Sequence, residues 1–305
     1  MDNQYRVFYI PKAKGYRKIV TYSSPENELF RFHSKASISL EKHLRQSQFA
    51  KAYIKHRSIK TNAQSHLYND IFICLDIHDF FQSLNQNRLV ATLFHEINKK
   101  TQRQFTKEQC EQLVRSCSIS NKGIAIGLKP SPSLANIYLK EFDTKLYAWL
   151  KKQSITCPIY TRYADDITIS FKMPEEDYHP ITESIIDQVR TLLKEFYLEL
   201  NPRKTRIIDL TVSNHVRITG INLVRDCNGF RKLTVGRKRK DELFYKAVDA
   251  FRQIDDRKEI QKIKGMQSFI LSIEGQSYEE TYSKNMKQII QKLGFPSLKA
   301  LIDSL

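Results

Sequence analysis

The sequence predicts an α+β protein: a small antiparallel sheet with helices packed on it, followed by a helical C-terminal module. Three observations lead there. The run Ile71-Phe72-Ile73-Cys74-Leu75, ending in Asp76, is apolar at every position before the acid, as in a strand buried on both faces. The stretch 159–171, rich in β-branched and aromatic residues, is interrupted at its centre by Ala164-Asp165-Asp166, where a hairpin tip would fall. Beyond about residue 238 strand-like runs cease and helical spacing takes over. Strands alternating with helices in the centre and helices alone at the end give the α+β class.

Taken in order, residues 7–10 and 17–21 read as short strands around the turn-like basic loop Pro11-Lys12-Ala13-Lys14-Gly15. A helix is expected over 26–49, a buried strand over 71–77, and helices over 86–99 and 106–117. Ser131 as N-cap with Pro132 at the first helical position opens a further helix. Leu134, Ile137, Tyr138, Phe142, Leu146 and Trp149 continue it at helical spacing, a core-facing stripe with no chemistry required. Strands follow at 158–162 and 167–171, a helix at 178–198, and short strands near 205–210, 216–224 and 232–235. The rest reads as helix, with Gly265 and Gly275 as interruptions.

With 305 residues, of which 41% are apolar, the chain can bury a core. It has no 18-residue apolar stretch, which excludes a helical membrane span, and its first residues lack the apolar region of a signal peptide. Cys74, Cys110, Cys117, Cys157 and Cys227 show neither disulfide nor zinc spacing, so a reducing cytosol is expected. The net charge of +17 is unevenly placed. Residues 1–60 carry +9 and residues 201–240 another +9, whereas 61–200 carry −1 and 241–305 are neutral. A basic run is ordinarily a solvated face. Two basic blocks bracketing an acidic centre instead suit a polyanion held across a metal site.

That centre is Asp165-Asp166 with Asp76. Adjacent carboxylates in an apolar setting repel each other and are costly to bury. Three acids delivered by two buried strands are the kit for two-metal phosphoryl transfer, and they have a use there that a surface turn would not give them.

Here the sequence resembles the reverse transcriptases. Leu75-Asp76-Ile77-His78-Asp79-Phe80-Phe81-Gln82-Ser83-Leu84 matches the family's block with an aspartate on a strand and an aromatic-rich turn; Tyr163-Ala164-Asp165-Asp166 matches its Tyr-X-Asp-Asp block. The resemblance implies a right-hand polymerase fold. It further implies that Asp76, Asp165, Asp166 and the main-chain carbonyl of Ile77 bind two Mg²⁺ ions, with Mn²⁺ as a substitute. Asp79 is expected to be a turn or cap residue. Phe81 stands where the family places an aromatic under the incoming sugar to exclude a 2′-hydroxyl; the bland alternative is that Phe80 and Phe81 are both core. Ile126-Gly127-Leu128-Lys129-Pro130-Ser131-Pro132-Ser133-Leu134-Ala135-Asn136 matches the next block, with Gly127 at the dNTP. Ile126 replaces the usual glutamine, which puts that nucleotide contact in doubt. Leu200-Asn201-Pro202-Arg203-Lys204-Thr205 supplies Lys204 as a candidate general acid for pyrophosphate, or else one basic surface residue among many. Lys12, in competition with Lys14, and Arg17 correspond to the loop covering the triphosphate.

Two elements narrow the resemblance to retron reverse transcriptases: Asn62-Ala63-Gln64-Ser65-His66 and Ile218-Thr219-Gly220. They point to Asn62, His66, Thr219 and Gly220 as RNA-binding, although a lone histidine is more often structural and Thr219-Gly220 also reads as a strand bend. Arg231, Lys232, Arg237, Lys238, Arg239 and Lys240 form a basic stretch that reads as an RNA-backbone grip. Fingers are expected at 1–70 and 86–125, palm at 71–85 and 126–224, thumb at 225–305. The resemblance implies dNTPs, a cognate structured non-coding RNA and its RNA–DNA product as partners, an effector protein restrained by that complex, and an antiphage role. Another prokaryotic defence or intron-type reverse transcriptase shares most of these motifs. A non-catalytic RNA-binding scaffold would not need all three acids.

Overall fold

A strand that is apolar on both faces must lie in the middle of a sheet, and β3 does. In the computed structural model, which describes residues 4–11, 15–99, 105–118, 122–174, 177–226, 228–253 and 256–305, the chain divides into two compact units, Met1–Asp209 and Leu210–Leu305.

The first unit opens with β1 (Tyr5–Pro11) and β2 (Tyr16–Tyr22), an antiparallel hairpin in register from Tyr5↔Tyr22 to Pro11↔Tyr16. Lys12 and Lys14 lie outside the described residues. Next come α1 (Glu28–His43), α2 (Ile59–Ser65), β3 (Ile71–Asp76), the single turn α3 (Phe80–Ser83), α4 (Gln86–Asn98) and α5 (Lys107–Ser116). Then follow α6 (Ser131–Tyr138), α7 (Lys140–Leu150), β4 (Ile159–Tyr163), β5 (Asp166–Phe171), α8 (His179–Glu195) and β6 (Arg206–Asp209). The sheet order is β4-β5-β3-β6, antiparallel throughout. All six residues of β3 are buried. Each large aliphatic side chain there contributes about 1.5–3 kcal/mol by leaving water.

Local chemistry sets most helix starts. Asn27 Oδ1 accepts from the amides of Leu29 (2.7 Å) and Phe30 (3.4 Å) to open α1. Reciprocal capping boxes, Ser58 with Thr61 and Thr106 with Gln109, open α2 and α5. The helix expected over 26–49 stops at His43, because Leu44 turns to extended backbone. Ser131 is the first helical residue of α6 rather than its cap; Pro130 holds the cap position, and no side chain caps that end. The single helix expected from 131 to 149 is two, α6 and α7, divided at Leu139.

In the second unit β7 (His215–Ile218), β8 (Ile221–Arg225) and β9 (Arg231–Thr234) form an antiparallel meander. The one strand expected over 216–224 is a hairpin. Thr219 (φ 46°) and Gly220 (φ 87°) are both left-handed, the pattern of a two-residue type I′ turn. Four helices follow: α9 (Arg237–Gln253), α10 (Arg257–Glu274), α11 (Lys284–Lys292) and α12 (Leu298–Ser304). The helix α10 runs through Gly265 and ends at Gly275 (φ 71°). Cys74, Cys110, Cys117 and Cys157 are free thiols. Among the described residues no helix is long and apolar enough to cross a membrane.

Candidate active site

Sheet register brings the three predicted acids together. Asp76, the last residue of β3, pairs directly with Asp166, the first of β5. Ala164 and Asp165 form the two-residue tip joining β4 to β5, across which Tyr163 pairs with Asp166. Ala164 is left-handed (φ 57°), the first-position conformation of a type II′ hairpin turn. The turn is sewn to the neighbouring strand by the Ile77 amide, which donates to the Asp165 carbonyl at 3.0 Å.

A third segment closes the group. The Asn201 amide donates to the Asp76 carbonyl (2.8 Å), and the His78 amide donates to the Glu199 carbonyl (2.8 Å). This holds the following short 3₁₀ turn, Pro202–Lys204, against the end of β3. The Lys204 ammonium donates to Asp76 Oδ1 at 2.7 Å, and Asn201 Nδ2 approaches Asp76 Oδ2 at 3.4 Å.

The electrostatics are those of an acidic cluster with too little positive charge. Although Asp166 is partly exposed to solvent, loss of solvation within the site pushes its carboxyl up to about 6, and repulsion from Asp165 and Asp76 adds to it, against Lys204 and Arg206. Burial also raises Asp165, as does the charge of Asp76, while its own backbone hydrogen bond, Lys204 and Arg17 pull the other way. The hydrogen bond to Asp76 raises Lys204, which stays an ammonium. A cluster of hard oxygen donors with a surplus of negative charge suits a divalent cation such as Mg²⁺ or Mn²⁺. Among the described residues no group of three or more His, Cys, Asp or Glu side chains is arranged to hold a metal ion.

The other predicted residues fall in different places. Arg17 is an exposed residue of β2, close enough for its charge to act on Asp165. Gly127 (φ 108°) touches β2: a Cβ there would lie 2.3 Å from the Val20 carbonyl oxygen. Beside it, the Ile126 carbonyl accepts from the Val20 amide (2.9 Å), and the Ile126 side chain packs on the core. Phe81 is a core residue, 7% exposed, edge-on to Phe80 with ring centroids 5.5 Å apart. Asp79 is a turn residue (φ 41°) that makes no side-chain cap.

Three RNA-binding expectations need correction. His66 is fully buried; its Nδ1 bonds Ser170 Oγ and its Nε2 bonds Thr161 Oγ1, each at 2.7 Å, and burial pushes it down to about 3. It is a strap between β4 and β5. Asn62 is buried too. Lys240 is buried and paired with Glu274 Oε2 at 3.1 Å, so it is not part of an outward-facing grip. Arg237, Lys238 and Lys232 are exposed. Arg239 lies over the Phe269 ring, 5.1 Å from its centroid, and Arg231 is half-buried.

Sequence reasoning assigned no role to Asn201, Arg206 or Tyr53. Asn201 was within reach, since it sits in a quoted motif. Nothing in sequence marks Tyr53, a left-handed residue (φ 59°) whose phenol is pushed up by burial and by the charge of Asp165.

The family model for "Reverse transcriptase (RNA-dependent DNA polymerase)" matches residues 10–223. The chain belongs to this family. It is an RNA-directed DNA polymerase, and membership implies divalent-metal dependence and an RNA template. Relatives include the retron Ec86 reverse transcriptase of Escherichia coli, 25% identical over 294 residues that cover 93% of this chain and 84% of that one. The retron Ec73 reverse transcriptase of Escherichia coli is 28% identical over 240 residues, 77% of this chain and 72% of that one. Among solved structures, apo telomerase from Candida tropicalis superposes with a TM-score of 0.52 at 13% identity, over 99% of this chain and 64% of that one. A form truncated from its C-terminal domain gives 0.52 over 75% and 54%. The chain thus spans less than two thirds of these telomerases, and the likeness is one of fold: the right-hand polymerase fold.

Proposed function

We propose that this polymerase is a retron reverse transcriptase. It copies a cognate structured non-coding RNA into branched multicopy single-stranded DNA, starting from an internal 2′-hydroxyl, and serves an antiphage system with an effector protein. The observation that carries the catalytic assignment is the direct pairing of Asp76 with Asp166, with the Asp165 carbonyl bonded to the Ile77 amide. The retron assignment is supported by likeness to the Ec86 and Ec73 enzymes and by the Asn62–His66 and Ile218–Gly220 elements.

Asp76, Asp165, Asp166 and the Ile77 carbonyl would hold two Mg²⁺, which supply activation of the attacking hydroxyl and neutralisation of the triphosphate. The chain's own residues do the rest. Lys204 must leave Asp76, and its ammonium then faces the pyrophosphate as charge and proton donor, becoming the neutral amine once the proton is given up. Arg17 forks onto phosphate oxygens, with Lys12 of the adjoining loop as a point charge. Gly127, held against Val20, and Phe81, which keeps 7% of its surface exposed, are the assigned contacts to the incoming nucleotide. Fingers comprise 1–70 and 86–125, palm 71–85 and 126–224, and thumb 225–305; residues 210–224 share the compact unit of the thumb.

Expression together with the DNA upstream of its gene tests the retron assignment. Small single-stranded DNA whose mobility shifts after RNase treatment is expected. Templated synthesis without any branched product would instead place the enzyme among other prokaryotic reverse transcriptases.

The thumb reading makes a separate prediction. Changing Arg237 and Lys238 to glutamine should weaken RNA binding and reduce the slope of log K against log salt by about 0.7–0.9 for each phosphate no longer neutralised. Lys240→Gln should leave that slope unchanged but destabilise the second unit by about 3 kcal/mol, because it strands the buried Glu274 carboxylate. Salt titrations and thermal melts of the two variants separate these outcomes.

A further inference from the structure

We propose that Arg162 is a positioning residue for the carboxylate turn, fixing Asp165 and Asp166 through the carbonyl of Ala164. The inference rests on reading these acids as the metal site.

Arg162 lies in β4 and is 0% exposed. Its guanidinium forks onto Asp143 of α7, Nε to Oδ1 at 2.8 Å and Nη2 to Oδ2 at 2.9 Å. Tyr160 donates its hydroxyl to the same Oδ1 at 2.6 Å. Nη2 also donates to the Asn136 carbonyl (3.2 Å), and Nη1 to Asn136 Oδ1 (3.3 Å), which ties the group to α6. Nη1 in addition donates to the Ala164 carbonyl at 3.2 Å. A guanidinium anchored on two helices therefore reaches forward to the turn that carries the acids.

Two physical points give that bond a purpose. The Ala164 carbonyl belongs to the rigid peptide plane that contains the Asp165 nitrogen and Cα. Fixing that oxygen fixes where the Asp165 side chain starts. Ala164 is also a non-glycine residue in the left-handed region, a conformation that persists when its surroundings hold it. As a stabilising device alone, a buried ion pair is poor, since well-packed apolar residues often do as well. Its specific product is a fixed geometry. The same network secures the other side of β4. The Arg162 amide donates to Phe49 O (2.9 Å), its carbonyl accepts from the Lys51 amide (2.7 Å), and Asn136 Nδ2 holds Ala52 O (2.8 Å).

The test uses Arg162→Lys, which keeps the charge, and the pair Arg162→Gln with Asp143→Asn, which removes both charges so that neither is stranded. Each is compared with wild type and Asp165→Asn in primer extension, in Mn²⁺ titration followed by electron paramagnetic resonance, and in RNA binding. We expect kcat to fall about tenfold or more, with the dNTP KM changed less than about threefold. Mn²⁺ affinity should fall alongside kcat, and RNA affinity should hold. Folded variants with wild-type kcat and Mn²⁺ affinity would overturn the proposal. So would equal losses in kcat, KM and RNA affinity, the mark of general unfolding. If the paired variant does not fold, Arg162→Lys decides by the same criteria. Wild-type extension by Asp165→Asn would sink the metal-site reading itself, an outcome distinct from failure of the Arg162 variants alone.

Discussion

Asp165→Asn should lower nucleotide incorporation by about a thousandfold or more, because one carboxylate ligand contributes several kcal/mol of charge stabilisation. The change is nearly isosteric, and the turn that carries Asp165 is held by backbone: its carbonyl accepts from Ile77, and Tyr163 pairs with Asp166. Neither contact uses the carboxylate. RNA affinity should therefore stay within about threefold of wild type, since the lesion leaves the basic segments intact. Primer-extension kinetics and filter binding on one preparation check both halves. Incorporation at the wild-type rate would remove Asp165 from the chemistry.

Asp166 gives the second large effect, in which activity and stability move in opposite directions. Its carboxyl is raised from an ordinary 3.8 to about 6 by burial and by the neighbouring acids. The folded protein thus holds this proton more tightly than the unfolded chain, and above pH 6 the ionised form is a cost to folding. That cost is fully present at neutral pH and fades as pH falls through 6 toward 4. With a chelator present at pH 7.5, Asp166→Asn should be more stable than wild type by on the order of 1 kcal/mol, discounted because this residue reaches solvent. That is about 2 °C in melting temperature. The advantage should vanish near pH 4. Added Mg²⁺ should raise the melting temperature of wild type more than that of the variant, which lacks one of the carboxylate ligands. Activity should be lost in the variant, and in wild type the Mg²⁺ needed for half-maximal activity should rise as pH drops below about 6, because proton and metal compete for the carboxyl. A variant that melts lower than wild type at pH 7.5 would contradict the charge-surplus account.

Which features were legible follows from whether one local signal or a tertiary contact decided them. β3 announced itself because a strand buried on both faces must be apolar at every position. The acid hairpin was legible because Ala164-Asp165 breaks two β-branched runs. The break at Leu139 was hidden: the apolar spacing of a single helix continues across it, from Leu134 to Leu146. The β7–β8 turn was hidden because only two residues separate Ile218 from Ile221, and they read as a bend within one strand. Lys240 carried a signal that the count of positive charges obscured. It lies on the same helical stripe as the buried Leu243, Phe244 and Ala247, so it faces inward. The bond from Lys204 to Asp76 spans 128 positions, and no local pattern encodes it. His66 reads as an RNA contact only until the hydroxyls of Thr161 and Ser170, far away in sequence, are placed at its two nitrogens.

The close approach of Gly127 to Val20 has a mechanical corollary. With no space for even a methyl group between them and a backbone bond alongside, the β1–β2 hairpin cannot slide over the segment that leads into α6. A side chain at 127 would first have to displace the Val20 backbone, so its effect would reach the seating of β2 before any interaction with a ligand.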